Sequence, residues 1–177
     1  MTGAERILVL GPCGAGKSTL AAALGERLGL PVIHLDKEYW RAGWVEPPQA
    51  EWLGKVEELI ARPRWVMDGN YGGTLARRLE RADCVVNLDY PRRAFFPRIV
   101  RRLLINLGRT RQDMAAGCPE RFDAEFWRYA WRYRIDVLPR REARLAASGV
   151  PVIDFLSPRE ADAWLAAGAP LREARAR

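Results

Sequence analysis

Residues 11–19 read Gly11-Pro12-Cys13-Gly14-Ala15-Gly16-Lys17-Ser18-Thr19. This segment fits the pattern G-x-x-x-x-G-K-[ST] of a loop that binds phosphate groups, the P-loop. The apolar run 6–10 before it has the length of a β-strand, and the Ala- and Leu-rich stretch from Lys17 onward predicts a helix. A glycine-rich loop between a strand and a helix is the setting in which this pattern binds a nucleotide. The alternative is a glycine-rich turn without a ligand.

The residue types of this loop explain how it would hold a polyphosphate. Its three glycines allow the backbone to curl and to approach phosphates without a Cβ in the way. Backbone N–H groups and the positive end of the following helix then face the anion, so we expect residues 11–19 to bind the nucleotide. Lys17 is expected to reach the β- and γ-phosphates of ATP, and the Ser18 hydroxyl to ligate Mg²⁺.

The composition is that of one folded domain. The chain has 177 residues, of which 49% are hydrophobic and 29% charged, and a chain of this size buries roughly 70% of its unfolded surface. No apolar run reaches the roughly 18 residues of a membrane span, and residues 1–5 do not have the pattern of a signal peptide. The three cysteines, Cys13, Cys84 and Cys118, are odd in number and far apart, which favours a reducing cytoplasm over a disulfide framework. We therefore expect a cytoplasmic protein without a membrane partner, and the sequence leaves its oligomeric state open.

Arginine accounts for nearly all of the positive charge, which gives a net charge of +7. Residues 92–111 contain seven arginines and no acidic residue. Such a stretch can bind nucleic acid, hold the phosphates of a nucleotide or form a solvated face. The P-loop favours the second reading, because a bound nucleotide brings several negative charges.

Strand-like and helix-like segments alternate along the chain. The predicted strands are 6–10, 32–35, 65–67, 84–88 and 150–155. The predicted helices are 17–28, 52–60, 74–81, one that ends near 107, 123–138, and one that follows the capping box Ser157-Pro158-Arg159-Glu160. This alternation predicts an α/β fold in three layers, with a mainly parallel sheet between two layers of helices.

Three carboxylates follow predicted strands, where ligands bind in open α/β sheets. They are Asp36, Asp68 and Asp89. Mg²⁺ keeps several waters and takes one or two carboxylates, so the three cannot all ligate one ion. We assign Asp68 to Mg²⁺ through a water, Asp36 to orienting and deprotonating an acceptor hydroxyl, and Asp89 to a structural role. The alternative for each is a carboxylate that caps a turn or helix.

Two pairs of arginines flank a segment, 108–121, that contains glycine and proline. Arg98 and Arg102 are four residues apart on a predicted helix and share one face of it, and Arg128 and Arg132 repeat that spacing. The guanidinium group binds phosphate oxygens with two donors at once. The arrangement predicts a lid that closes on a nucleotide, and the alternative is a solvated face with ion pairs.

Several of these segments together resemble a known family. The chain resembles the small P-loop kinases of the adenylate kinase type, and most of all the adenylate-kinase-related group known as DNA topology modulation proteins. The resembling segments are 11–19, Leu35-Asp36, Trp65-Val66-Met67-Asp68-Gly69-Asn70-Tyr71, Arg98-Ile99-Val100-Arg101-Arg102 and Gly117-Cys118-Pro119-Glu120-Arg121. The resemblance implies a parallel sheet of strand order 2-3-1-4-5, an arginine-rich helical lid, an acceptor site beyond Asp36, and ATP and Mg²⁺ as cofactors.

The resemblance also implies roles for individual residues. Arg98 and Arg102 would contact phosphates at the base of the lid, and Arg121 and Arg132 would act from its far side. Residues Ser157, Pro158 and Arg159 would lie near the adenine. The name of the group implies an effect on DNA, but it identifies no acceptor.

The acceptor is the point at which this chain departs from adenylate kinases. Those enzymes hold the phosphate of AMP with two arginines, at positions that are occupied here by Tyr39 and Gly72. The expected acceptor-site residues are instead Asp36, Tyr39, Trp40, Trp44, Asn70 and Tyr71. Aromatic walls with a few polar groups suit a weakly charged acceptor such as a nucleoside. Two alternatives remain: the tryptophans pack in the loop or core, or the missing pair is replaced by Arg41, Arg77 or Arg78.

Two further signals are not assigned a function. Some lids of this type hold zinc with four cysteines, whereas this one has only Cys118, so we expect no zinc. His34, the only histidine, lies in a predicted strand and is expected to pack there rather than to act as a base.

The sequence as a whole predicts an ATP- and Mg²⁺-dependent phosphotransferase that acts on a small molecule. The alternatives are a nucleotide-switched module that binds DNA through residues 92–111, which we favour less, and a P-loop NTPase that uses water as the acceptor. We expect a single domain over 1–177, with core segments 1–91 and 139–168, a lid at about 92–138 and a flexible tail at 169–177.

Overall fold

Five parallel strands form the centre of the molecule, which a computed structural model describes from residue 4 to residue 171. Their order in the sheet is β2-β3-β1-β4-β5, so the predicted order is confirmed. The strands are β1 (Arg6–Leu10), β2 (Val32–His34), β3 (Trp65–Asp68), β4 (Cys84–Leu88) and β5 (Val152–Phe155).

Helices cover both faces of this sheet. They are α1 (Lys17–Leu28), α2 (Leu35–Tyr39), α3 (Gln49–Ile60), α4 (Leu75–Arg81), α5 (Arg92–Asn106), α6 (Ala124–Asp136), α7 (Leu138–Ser148) and α8 (Pro158–Ala166), with a 3₁₀ turn at Gly72–Thr74. Buried side chains of α1, α5 and α8 share one hydrophobic core, and those of α3, α4 and α7 share the other. The predicted three-layer α/β fold is therefore confirmed. No helix between residues 4 and 171 has both the length and the apolar character needed to cross a membrane.

The central strand β1 shows how the sequence places the site. Ile7 and Val9 enter one core, and Leu8 and Leu10 enter the other, because successive side chains of a strand point to opposite faces. All neighbouring strands run parallel, so their carboxyl ends meet at one edge of the sheet. At that edge Val9, two residues before the first glycine of the P-loop, is aligned with Asp68.

The second strand is shorter than the sequence predicts. It ends at His34, and Leu35 begins α2, which places Asp36 in the first turn of a short helix rather than at a strand end. Leu35 is fully buried at this turn and packs against Gly69. A side chain at position 69 would prevent this contact, because its Cβ would lie only 2.8 Å from the Leu35 Cβ. Asp36 therefore lies at the carboxyl ends of the strands, as the sequence predicts, but in a helix and not at the end of a strand.

The region predicted as a lid consists of α5, α6 and the loop 107–123 between them. The single helix predicted over 123–138 ends at Asp136, and the sequence analysis missed α7, which begins at Leu138 with Pro139 in its first turn. The predicted tail, 169–177, lies mostly outside the described residues, as do residues 1–3. Of the part of that segment that the structure describes, Ala169 is buried in the core.

Candidate active site

The P-loop has the backbone geometry that its glycines allow. Gly14 and Gly16 have φ angles of 76° and 92°, in the left-handed region that favours glycine. A Cβ on Gly14 would lie 2.7 Å from the carbonyl oxygen of Phe95 in α5, so a larger residue would separate the loop from the lid helix. Helix α1 begins at Lys17, which leaves its first backbone N–H groups facing the loop. The Lys17 Nζ donates to the carbonyl oxygen of Pro12 at 3.0 Å, across the loop that a phosphate would enter.

Asn70 fixes the start of the loop. Its side-chain Nδ2 donates to the Gly11 carbonyl at 2.9 Å, and its Oδ1 accepts from the Gly11 N–H at 3.4 Å. Asn70 is one of the residues expected to contact the acceptor, and in the structure its side-chain amide is hydrogen-bonded to the backbone of Gly11. The end of β3 and the start of the P-loop are thereby held together.

Arg78 stabilises the turn 69–71 that follows β3. It is fully buried, and its guanidinium donates to the backbone carbonyls of Gly69, Asn70 and Tyr71. Burial lowers the pKa of Arg78 to about 9, since desolvation disfavours the charged form. These contacts commit Arg78 to the backbone of the turn and leave it unsuited to replace a phosphate-binding arginine.

Asp68 is buried and forms a hydrogen bond that the sequence does not predict. The Nδ1 of His34 lies 2.7 Å from Asp68 Oδ1. This hydrogen bond raises the pKa of His34 against the opposing effect of burial. No hydrogen bond from residues 4–171 reaches Asp68 Oδ2, so the carboxylate retains an oxygen suited to a Mg²⁺-bound water.

Asp36 is oriented by a tyrosine. The Tyr71 hydroxyl donates to Asp36 Oδ1 at 2.7 Å. Burial, followed by the charge of Asp36, raises the pKa of Tyr71, so this hydroxyl stays protonated and remains a donor. Tyr71 itself has a φ of 32°, a left-handed conformation that the contacts of Arg78 stabilise. The turn after β3 therefore positions the carboxylate that follows β2.

The aromatic residues around Asp36 pack on one another. The ring of Tyr39 lies 4.7 Å from that of Tyr71 and 5.0 Å from that of Trp40, and Trp40 lies 5.3 Å from Trp44. Trp40 and Trp44 also pack against three buried residues of the lid loop, Met114, Ala115 and Cys118. These rings thus have packing partners, and they remain partly exposed at the predicted acceptor side.

The lid arginines divide into two groups. Arg98 lies over the P-loop, with its Nη1 3.5 Å from the carbonyl oxygen of Ala15. Arg102, one helical turn later, donates to Glu120 through Nε and Nη2. By contrast, Arg132 forms an exposed ion pair with Asp136 at 2.6 Å, and Arg121 lies 3.8 Å from Asp123 in an exposed position. The structure therefore brings Arg98 and Arg102 to the loop side. It leaves Arg132 in an exposed ion pair, and Arg121 lies over the ring of Trp44, 5.8 Å from its centroid.

Two charged residues of the lid were missed by the sequence analysis. Glu120 is buried, and its second oxygen, Oε2, lies 3.2 Å from Nε of Arg111. Arg111 also donates to Asp113 at 3.0 Å. Burial raises the pKa of the Cys13 thiol, and the positive charge of Lys17 opposes that rise. The sequence carries no signal for this cluster, because the burial of Glu120 depends on how the lid loop packs.

Two further assignments concern the ends of β4 and β5. Asp89 accepts from Arg134 of α6 at 2.7 Å, as a structural carboxylate does. Ser157 caps α8, whose first residue is Pro158: its hydroxyl accepts from the N–H of Glu160, and Glu160 Oε2 accepts from that of Leu156. The capping box is therefore confirmed, and it lies at the same edge of the sheet as the P-loop.

Comparison with solved structures identifies the fold. A shikimate kinase from Bacteroides thetaiotaomicron aligns with a TM-score of 0.59 and 17% identity, over 97% of this chain and 99% of the other. A shikimate kinase from Acinetobacter baumannii, solved in complex with shikimate, aligns with a TM-score of 0.55 and 19% identity, over 94% and 95% of the two chains. No family model and no curated protein matches the sequence. The chain thus has the fold of these shikimate kinases.

Proposed function

We propose that this protein is a phosphotransferase that moves the γ-phosphoryl group of ATP to a hydroxyl group of a small molecule bound beside Asp36. The observation that carries the proposal is the meeting of a P-loop with an oriented carboxylate. The P-loop follows β1, and Asp36, held by the Tyr71 hydroxyl, follows β2 at the same edge of the sheet. A phosphate cradle facing a carboxylate base is the arrangement that phosphoryl transfer needs.

The chemical roles follow from this arrangement. The acceptor oxygen bonds to the γ-phosphorus as the bond from that phosphorus to its bridging oxygen breaks, and ADP leaves. The hydroxyl proton passes to Asp36. Lys17, Arg98 and Arg102 would neutralise charge on the transferred group. Mg²⁺ would supply further charge neutralisation, held by the Ser18 hydroxyl and, through water, by Asp68.

The acceptor is proposed to carry little charge. The three arginines that could replace the missing AMP-binding pair each have another partner, although only Arg78 is itself buried. Arg41 forms an ion pair with Glu51, Arg77 lies 3.8 Å from carboxylate oxygens of Glu57 and Glu80, and Arg78 is bonded to backbone carbonyls. The aromatic rings of Tyr39, Trp40 and Trp44 suit a ring or an apolar body better than a dianion.

Finer assignments remain part of the proposal. The segment Asp68-Gly69-Asn70-Tyr71 supports the resemblance to the DNA topology modulation group. Residues Ser157, Pro158 and Arg159 are proposed to lie near the adenine, and Arg121 and Arg132 to approach the phosphates only if α6 and the lid loop move.

The test is a screen of nucleosides, nucleotides and other hydroxylated metabolites for ATP-dependent phosphorylation. Lys17→Ala is expected to reduce turnover at least about 100-fold, because it removes the cation that neutralises the transferred phosphoryl group. Lys55→Ala is the matched control, since Lys55 pairs with Glu38 on the surface. Turnover near the wild-type rate in Lys17→Ala would contradict the proposal. Salt-sensitive binding of random duplex DNA, with no phosphorylated product, would favour the DNA-binding alternative instead.

A further inference from the structure

Glu120 is the one carboxylate that contacts both Arg102 and Arg111 among the described residues. Arg102 donates to its Oε1 through Nε at 3.2 Å and Nη2 at 3.0 Å, and Arg111 Nε lies 3.2 Å from its Oε2. Its side chain is only 9% exposed, and those of the two arginines are 22% and 19% exposed. Removal of this carboxylate would leave two partly buried guanidinium groups without their partner, which costs more than breaking an ion pair on the surface.

Arg102 lies on the P-loop side of the lid, and Arg111 lies beside it because both arginines contact Glu120. Arg102 is one helical turn from Arg98, which reaches the carbonyl oxygen of Ala15, so the two share a face of α5. Glu120 contacts only Nε and Nη2 of Arg102 and only Nε of Arg111. Asp113 accepts from Nη1 of Arg111. Each guanidinium carries five N–H donors, so donors remain on both for phosphate oxygens.

The backbone around Glu120 is itself held in place. Its N–H donates to the carbonyl oxygen of Arg109, and its carbonyl oxygen accepts from the N–H of Gly108, both at 2.9 Å. Just before it, the Gly117 carbonyl accepts from the N–H of Gly43 at 2.8 Å, and the Pro119 carbonyl accepts from Trp44 Nε1 at 2.9 Å. Glu120 is therefore anchored both to the end of α5 and to the loop that bears the acceptor-side tryptophans.

We propose that Glu120 is a positioning residue that holds Arg102 and Arg111 over the P-loop, and that Arg111 is a further phosphate-binding residue. The inference rests on the proposed function, because it assumes that the P-loop binds a nucleoside triphosphate. Glu120 acts through the two arginines and does not itself touch the nucleotide.

The test measures the affinity for a non-hydrolysable ATP analogue with Mg²⁺ by calorimetry. Glu120→Gln keeps an oxygen for Arg102, but its amide would meet Arg111 Nε as a second donor, so Arg111 is released. We expect the dissociation constant to rise about tenfold, the effect of losing one charge-assisted hydrogen bond. The double variant Arg102→Ala/Arg111→Ala should bind the analogue more weakly still, and adding Glu120→Gln to it should change nothing further. Glu125→Gln is the matched control: it also removes one lid carboxylate near an arginine, but at an exposed site.

The outcomes separate the two proposals. If the wild-type protein does not bind the analogue, the proposed function fails and this inference fails with it. If the wild type binds and Glu120→Gln binds equally well, only the inference fails. A further loss when Glu120→Gln is added to the double arginine variant would show that Glu120 acts on the fold and not through the arginines, and would overturn it. If Glu120→Gln does not fold, Arg111→Ala decides: unchanged affinity in that variant contradicts the inference.

Discussion

The imidazole of His34 and the carboxylate of Asp68 are joined by a hydrogen bond of 2.7 Å between Nδ1 and Oδ1, at the carboxyl ends of two neighbouring strands. Because an ionised carboxylate only accepts, Nδ1 is the donor, and His34 fixes which Asp68 oxygen remains for another ligand. The sequence analysis assigned His34 to packing in a strand. Its contact instead orients the residue proposed to hold Mg²⁺ through water, as an outer partner orients a metal ligand.

The first prediction concerns the titration of this pair. His34 is the only histidine in the sequence, so its ring protons can be followed alone by NMR. Its hydrogen bond with Asp68 raises the pKa, so the titration midpoint should lie above the ordinary value of about 6.5. Asp68→Asn should move that midpoint downward, and a midpoint that does not move would show that Asp68 is not the cause.

The same pair predicts a pH dependence of stability. A histidine whose pKa is raised in the folded state stabilises the protein fully below its unfolded pKa, and this contribution is lost as the pH rises through the folded pKa. His34→Gln should therefore lower the free energy of unfolding more at pH 5.5 than at pH 9. Denaturant unfolding of both proteins at the two pH values measures this, and an equal loss at both would contradict it.

The third prediction separates the two carboxylates. Asp36→Asn should keep the affinity for ATP with Mg²⁺ but lower kcat by about 10²- to 10⁴-fold, since it removes the proposed base. Asp68→Asn should instead weaken the dependence of ATP binding on Mg²⁺. Calorimetric titration of both variants, with ADP formation measured alongside, decides between them. If Asp36→Asn loses nucleotide binding and Asp68→Asn does not, the two roles are reversed.

The fourth prediction compares two lid arginines. Arg102 lies on the P-loop side, whereas Arg132 is paired with Asp136 on the exposed face of α6. Arginines that meet the charge of a transferring phosphoryl group contribute on the order of 10³-fold or more to kcat, so Arg102→Ala should show a loss of that size. Arg132→Ala should change kcat by less than about threefold, as expected for an exposed ion pair. An equal, large loss in both variants would show that α6 closes further during catalysis.

The fifth prediction concerns the charge of the acceptor. Because Tyr39 and Gly72 stand where adenylate kinases hold AMP with arginines, and Arg78 is buried against backbone carbonyls, we expect no nucleoside monophosphate to be a good acceptor. The measurement is ADP formation from ATP with AMP, dAMP, CMP and UMP, each compared with its nucleoside. A kcat/KM of about 10⁴ M⁻¹s⁻¹ or more for any monophosphate, which is ordinary for an enzyme acting on its substrate, would contradict the prediction.

The sequence by itself determined the fold class and the place of the P-loop motif between β1 and α1. The motif at 11–19 and the alternation of strands and helices depend on neighbouring residues, and local backbone preferences are enough to produce them. The order of the strands came from the resemblance to the adenylate kinase type, and the sheet confirms it. The capping box at Ser157 is equally local, since its partners lie within three residues.

Only the tertiary structure decided how the polar side chains of the site are used. His34 meets Asp68 over 34 positions of sequence, Asn70 meets Gly11 over 59, and Arg102 meets Glu120 over 18. A polar group that folding removes from water must take whichever partner lies beside it, and that partner is set by how strands and helices pack. For this reason Asn70, predicted to meet an acceptor, holds the P-loop, and the buried Glu120 could not be distinguished in the sequence from a surface carboxylate.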